Sequence, residues 1–159
     1  MKHLFSIVLS LFSILGFAQT PLKPVTWNAT YVATNATEGE IHFTATIDKK
    51  WHIYSQRPTD VGPIPTSFTV TPNADFELVG KVEEEQAHEE FVAAFDAKVF
   101  VFSEKAVFKQ KIKLKNQKGT TIKSTLEFMT CNDVQCLPPA ILDFSGTETE
   151  KSSIAGGRH

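Results

Sequence analysis

Cys131 and Cys136 are the two cysteines of the 159-residue chain, and their spacing makes thiol chemistry the first reaction class to consider. They stand in Met129-Thr130-Cys131-Asn132-Asp133-Val134-Gln135-Cys136-Leu137-Pro138-Pro139, at the end of one expected strand and just before another at 140–144. Three readings compete. A structural disulfide is the ordinary fate of two lone cysteines in an exported domain. Yet a bridge across so short a loop removes only ~2 kcal/mol of chain entropy, against ~4 kcal/mol for one joining distant strands. A local pair is better suited to exchange, because the sulfurs stay close when reduced and either thiolate can resolve a mixed disulfide formed by the other. The gap is wider than the Cys-x-x-Cys of thioredoxin-like proteins, and no alternating strand-helix pattern surrounds it. Third, Cys131, Cys136 and Met129 could hold Cu(I) as soft ligands, although no histidine flanks them and the other methionine is Met1.

Other chemistries lack their residues. His42, His52, His88 and His159 do not show zinc-ligand spacing, and His88-Glu89-Glu90-Phe91-Val92 lacks the second histidine of a metalloprotease helix. No serine triad or phosphate-cradling glycine loop is recognisable. No metal site and no dissociable cofactor are expected.

The chain that positions the cysteines is 42% hydrophobic and 21% charged, with 16 Lys+Arg against 18 Asp+Glu. That balance excludes disorder, collagen and coiled coil, and a formal charge of −2 offers no basic surface for nucleic acid. Lys2-His3 precede an apolar stretch, Leu4 to Leu15, broken by Ser6, Ser10 and Ser13 and followed by Gly16-Phe17-Ala18. This is the pattern of a secretory leader at 1–18, cut after Ala18. The stretch is too short for an untilted span and no other segment approaches ~20 apolar residues, so no stable membrane insertion is expected after cleavage. Gln19, not cysteine, would then lead the chain, which argues against a lipid anchor. One domain at 19–148 and a flexible tail at 149–159, containing Gly156-Gly157, are expected. Export places the cysteines where disulfides persist.

Beyond Thr20 the dominant period is two. Ile41, Phe43, Ala45 and Ile47 alternate with His42, Thr44 and Thr46; Phe108, Ile112 and Leu114 oppose Lys109, Lys111, Lys113 and Lys115; Ile122, Leu126 and Phe128 oppose Lys123, Thr125 and Glu127. Residues 66–70 alternate as well. Turn chemistry separates these runs at 48–50, 58–65, 71–73 and 116–119. Many short half-buried strands predict an all-β antiparallel sandwich or barrel, with the lysine row as a solvated strand face. Residues 83–98 break the pattern. Ala87, Phe91 and Phe95 at four-residue intervals suit a short amphipathic helix, and a surface loop fits equally well.

A strand, Cys131-x4-Cys136, Pro138-Pro139 and a second strand, in an exported all-β domain, resemble the amino-terminal periplasmic domain of the bacterial thiol:disulfide interchange protein DsbD. Lys50-Trp51-His52-Ile53-Tyr54-Ser55-Gln56 is similar to that family's early aromatic strand, and His88-Glu89-Glu90-Phe91 to its cap loop. The resemblance runs from about Trp27 to Phe144. It implies an immunoglobulin-like sandwich, monomeric, whose only redox group is the cysteine pair and whose partners are thioredoxin-fold proteins, a membrane-linked reductant and periplasmic acceptors. Cys136 would form the mixed disulfide and Cys131 would resolve it. Phe91 would lie over the sulfurs as a lid, with Glu89, Glu90, Tyr54 and His52 near the pair. Nearby carboxylates would raise the thiol pKa and keep the pair quiet without a partner. The 159 residues include neither the transmembrane segment nor the thioredoxin-like domain of full-length DsbD, so the expectation is either that the reductant is a separate polypeptide or that the chain no longer carries electrons.

Overall fold

Apolar side chains at every second position can be buried only if the strand lies on a partner layer, and the chain satisfies this with two antiparallel sheets. The computed structural model describes residues 22–59, 61–93, 95–116, 119–147 and 155–158. The expected leader at 1–18 lies outside the described residues. The strands in chain order are β1 (Val25–Ala33), β2 (Glu38–Ile47), β3 (His52–Tyr54), β4 (Ser67–Thr71), β5 (Phe76–Glu84), β6 (His88–Val92), β7 (Ala97–Ser103), β8 (Lys105–Leu114), β9 (Thr121–Cys131), β10 (Cys136–Thr147) and β11 (Ala155–Arg158). One sheet has the order β1-β2-β8-β5. The other runs β11-β10-β9-β3-β7-β6, with β4 pairing the first part of β9 and β3 its end. The result is a two-sheet sandwich, one of the two architectures that the alternation predicts, and of the immunoglobulin-like kind that the resemblance implies.

Between the sheets, Ile41, Phe43 and Ala45 meet Ile53, Leu126 and Phe144, all at or near zero exposure. An aromatic group forms the centre. Phe43 and Phe68 rings lie 4.7 Å apart, Phe68 and Phe108 4.9 Å, and Trp27 and Phe128 5.4 Å, within the range where offset and edge contacts are favourable. Gly39 in β2 has a steric reason: a Cβ there would lie 2.3 Å from the Tyr31 hydroxyl oxygen of neighbouring β1. The lysine row on β8 points outward, as expected, and carboxylates match it. Lys111 pairs with Glu83 at 2.9 Å and Lys115 with Glu77 at 3.8 Å, while Glu38 and Glu40 stand opposite Lys113 and Lys111 in the ladder.

Residues 83–98 hold no helix. Their four-residue spacing is coincidental: His88↔Val101 through Val92↔Ala97 pair as a hairpin, so β6 takes its hydrogen bonds from β7 rather than from its own turns. Ala87 faces the main core, Phe91 is exposed, and Phe95 sits in the hairpin turn. Part of the tail is also ordered by pairing, with Ala155–Arg158 lying along Leu142–Ser145 of β10; residues 149–154 and 159 lie outside the described residues.

Phe108 touches three aromatic partners at zero exposure. Phe108→Ala should therefore lower the unfolding free energy by about 3–5 kcal/mol in urea titration of the oxidised protein, with little change in m.

Candidate functional site

Cys131 and Cys136 are direct partners in the β9–β10 ladder and are joined by a disulfide, with Cα atoms 4.0 Å apart. The hairpin, rather than the bond alone, brings them together. The Asn132 amide donates to the Gln135 carbonyl at 2.9 Å, and the Asn132 side-chain oxygen accepts from the amides of Val134 and Gln135 at 2.9 and 2.8 Å. This side-chain turn closes the loop and makes Cys131–Cys136 the next rung. Beyond Cys136 the register slips between Leu137 and Ala140, where Pro138-Pro139 supply no amide hydrogens and form a bulge.

The β11-to-β6 sheet has two faces with different roles. Phe128, Ile53, Phe100 and Phe102 point toward the other sheet. Their alternates, Met129 and Cys131 on β9, Tyr54 on β3, Val99 and Val101 on β7 and Val92 on β6, form a second, smaller apolar cluster on the outer face. Two covers exclude water from it. The turn after β6 is fixed by a 3.0 Å bond from the Phe95 amide to the Val92 carbonyl, and its Phe95 ring packs edge-on to Tyr54 at 6.1 Å. The 56–65 excursion brings Gly62 against Val99. Cys131 is fully buried in this cluster, whereas Cys136 is half-buried at its rim and Val134 in the loop is 90% exposed.

His52 and Tyr54 share the outer face of β3. His52 stands directly opposite Cys131 in the ladder, and its Nε2 lies 3.0 Å from the Tyr54 hydroxyl. Burial holds the imidazole pKa below its usual 6.5, opposed by the negative charges of Glu90 and Asp133 and aided by His88. Tyr54 is pushed above the ordinary phenol range, first by burial and then by Glu90. A polar hollow of about 230 Å³, lined among others by His52, Glu90, Ser103 and Asp133, opens beside the pair.

The expected neighbours therefore separate. His52 and Tyr54 lie with Cys131, and Glu90 on β6 acts electrostatically on both of them. Glu89 lies on the opposite face of β6, bonded to Lys98 at 3.0 Å. Phe91 is 56% exposed, and the phenylalanine packed on the Cys131 cluster is Phe95. Glu84 has a positioning role that the sequence reading missed: its carboxylate accepts from the Ser55 hydroxyl and the Gln56 amide and lies 3.6 Å from Arg57, tying β5 of one sheet to the end of β3 in the other. Arg57 in turn lies 4.3 Å over the Phe100 ring. Only the acidic character of 83–85 hinted at this. Among the described residues no three His, Cys, Asp or Glu side chains gather as a metal would require.

An immunoglobulin-like sandwich with a cross-strand cystine at one rim, Cys131 buried and Cys136 half-buried, defines the class of domain. The sequence matches the family described as "Thiol:disulfide interchange protein DsbD, N-terminal" over residues 19–145, and the chain belongs to that family. Three solved structures share the fold. The reduced DsbD amino-terminal domain of Neisseria meningitidis is 16% identical, with a TM-score of 0.51 over 81% of this chain and 90% of that one. The amino-terminal periplasmic domain of ScsB from Proteus mirabilis is 18% identical, with a TM-score of 0.54 over 79% of this chain and 46% of that one. A complex between the DsbD and PilB amino-terminal domains of Neisseria meningitidis matches at 13% identity, with a TM-score of 0.53 over 88% and 94%. No curated protein matches the sequence closely enough to count as a relative.

Two outcomes follow from the cluster. Phe95→Ala should speed alkylation of the reduced protein roughly 2- to 10-fold, the opening released by losing an aromatic contact of ~0.5–1.5 kcal/mol, while Phe91→Ala leaves the rate near wild type. Equal effects of both would return the lid role to Phe91. The second concerns acid. His52 is protonated less readily folded than unfolded, so the unfolded chain binds more protons below pH 6.5 and stability falls as pH drops through that value. His52→Gln should flatten this part of the Tm-against-pH curve.

Proposed function

We propose that the chain is a periplasmic thiol-disulfide carrier, reduced at Cys131/Cys136 by a membrane-linked thioredoxin-like donor and oxidised by thioredoxin-fold acceptors. The observation that carries this reading is the asymmetry of the pair, with Cys136 at the rim and Cys131 buried behind it. The accessible sulfur meets the partner; the buried one, held on the next strand, is shielded from chance oxidants and already within reach to resolve the mixed disulfide. In the reducing direction the Cys136 thiolate attacks one sulfur of the acceptor's disulfide. Cys131 then attacks Cys136, the internal bridge forms, and the acceptor leaves with two electrons and its thiols. Apolar burial disfavours a charged thiolate at Cys131 until a partner docks.

The solved complex of a related DsbD domain with a PilB amino-terminal domain, which is thioredoxin-like, supports a thioredoxin-fold protein as partner. The apolar leader at 1–18 supports export, with cleavage after Ala18. A structural bridge in an adaptor domain is the second reading, favoured by the burial of Cys131.

Redox titration separates the two: a carrier equilibrates between roughly −180 and −270 mV, and a purely structural bridge below about −300 mV. Cys131→Ser should accumulate a Cys136-linked mixed disulfide with a thioredoxin-fold protein, detected as a reducible band of higher mass, and its absence counts against the carrier. Cys136→Ser should abolish transfer and cost no more than ~2 kcal/mol of stability, because the hairpin closes without the bridge.

A further inference from the structure

We propose that His52 is the proton acceptor for Cys131 in the step that closes the bridge, a catalytic role in the exchange reading on which it rests. Four residues form one rung across the outer face: Ser103 on β7, His52 on β3, Cys131 on β9 and Cys136 on β10, each the direct ladder partner of the next. Directly opposed side chains have Cβ atoms about 4.5–5.5 Å apart, so His52 and Cys131 leave neighbouring strands side by side on one face of the sheet.

Cys131 needs such a neighbour. It is fully buried among Tyr54, Val92, Val99 and Val101, so bulk water cannot take its proton, and apolar burial raises a thiol's pKa. Tyr54 is no base, since its phenol stays protonated. His52 is neutral near pH 7, because burial outweighs the negative charges facing it. Those charges come from Glu90 on β6 and Asp133 in the cysteine loop, with His88 on β6 opposing them. Asp48, Lys49, Lys50 and Glu104 line the same hollow from the turns on either side, with both signs represented. When Nε2–H donates to the Tyr54 oxygen, Nδ1 is the ring nitrogen left with a lone pair to accept a proton.

In this step the Cys131 thiol gives its proton to Nδ1 while its sulfur attacks Cys136 of the mixed disulfide. The Cys131–Cys136 bond forms, the bond from Cys136 to the partner sulfur breaks, and the partner leaves as thiolate. The imidazolium then returns the proton to that thiolate or to solvent through the hollow. The domain is oxidised by two electrons and the partner is reduced by two.

The test uses the reduced full chain and a small aromatic disulfide that releases a coloured thiolate. The first release reports attack by Cys136, and the second reports closure by Cys131. In wild type the second phase should rise with pH along the His52 titration below 6.5 and then level. In His52→Gln it should be ~100-fold slower at pH 7 and climb toward the ordinary thiol range, near ~8.5 or above. An unchanged rate and profile overturns the proposal. A wild-type measurement covers the case in which the variant does not fold: nitrogen NMR of the imidazole should show the Nε2–H tautomer, and the Nδ1–H tautomer overturns it. Because the probe is a small disulfide, failure to trap a protein partner would sink the carrier reading while leaving this result intact.

Discussion

A cystine whose residues face each other across one β-ladder has its sulfurs brought together by main-chain hydrogen bonds as well as by the S–S bond. That is the constraint behind the rest of this site. The Asn132 turn and the β9–β10 register set Cys131 opposite Cys136 through hydrogen bonds that do not involve the sulfurs. Opening it removes little loop entropy from the balance of folding, so the bridge contributes little as a staple and is well suited to being cycled.

The register also decides which face of the sheet the sulfurs occupy. A one-residue slip of β9 would turn Cys131 into the aromatic core and Phe128 outward. As it stands, odd-numbered Met129 and Cys131 join a small cluster of their own, while Phe128 belongs to the main core. The sandwich can therefore be held by one face of the sheet while the other holds the cystine. Outer sheet faces are usually wet, but here the patch around Cys131 is buried, with Gly62 lying against Val99 and Phe95 packed on the cluster. Glu84 fastens the start of that excursion to the opposite sheet, so a carboxylate remote from the sulfurs helps position the strand that bears His52 and Tyr54.

Much of this was legible from residue order. Alternation located β2, β4, β8 and β9, a strand was expected at 140–144 where β10 runs, and the lysines of β8 face outward as their spacing required. The cysteine loop was legible too, since strand, turn-forming Asn-Asp and strand leave little choice of local geometry. The 83–98 segment was not. Apolar residues at every fourth position satisfy helical spacing and also occur by chance when a strand, a turn and a second strand follow each other. Phe91 carries the family motif, but its place in β6 turns it to solvent, and the hairpin turn delivers Phe95 instead.

The sequence by itself determined an all-β chain and a closely spaced thiol pair, because period-two burial and short loop closure are local properties. It could not determine which side chains meet the sulfurs. That depended on β3, nearly eighty residues earlier in the chain, pairing with the last rung of β9. Neighbours across a sheet are set by long-range register, and register emerges only when the whole apolar pattern is packed between two layers.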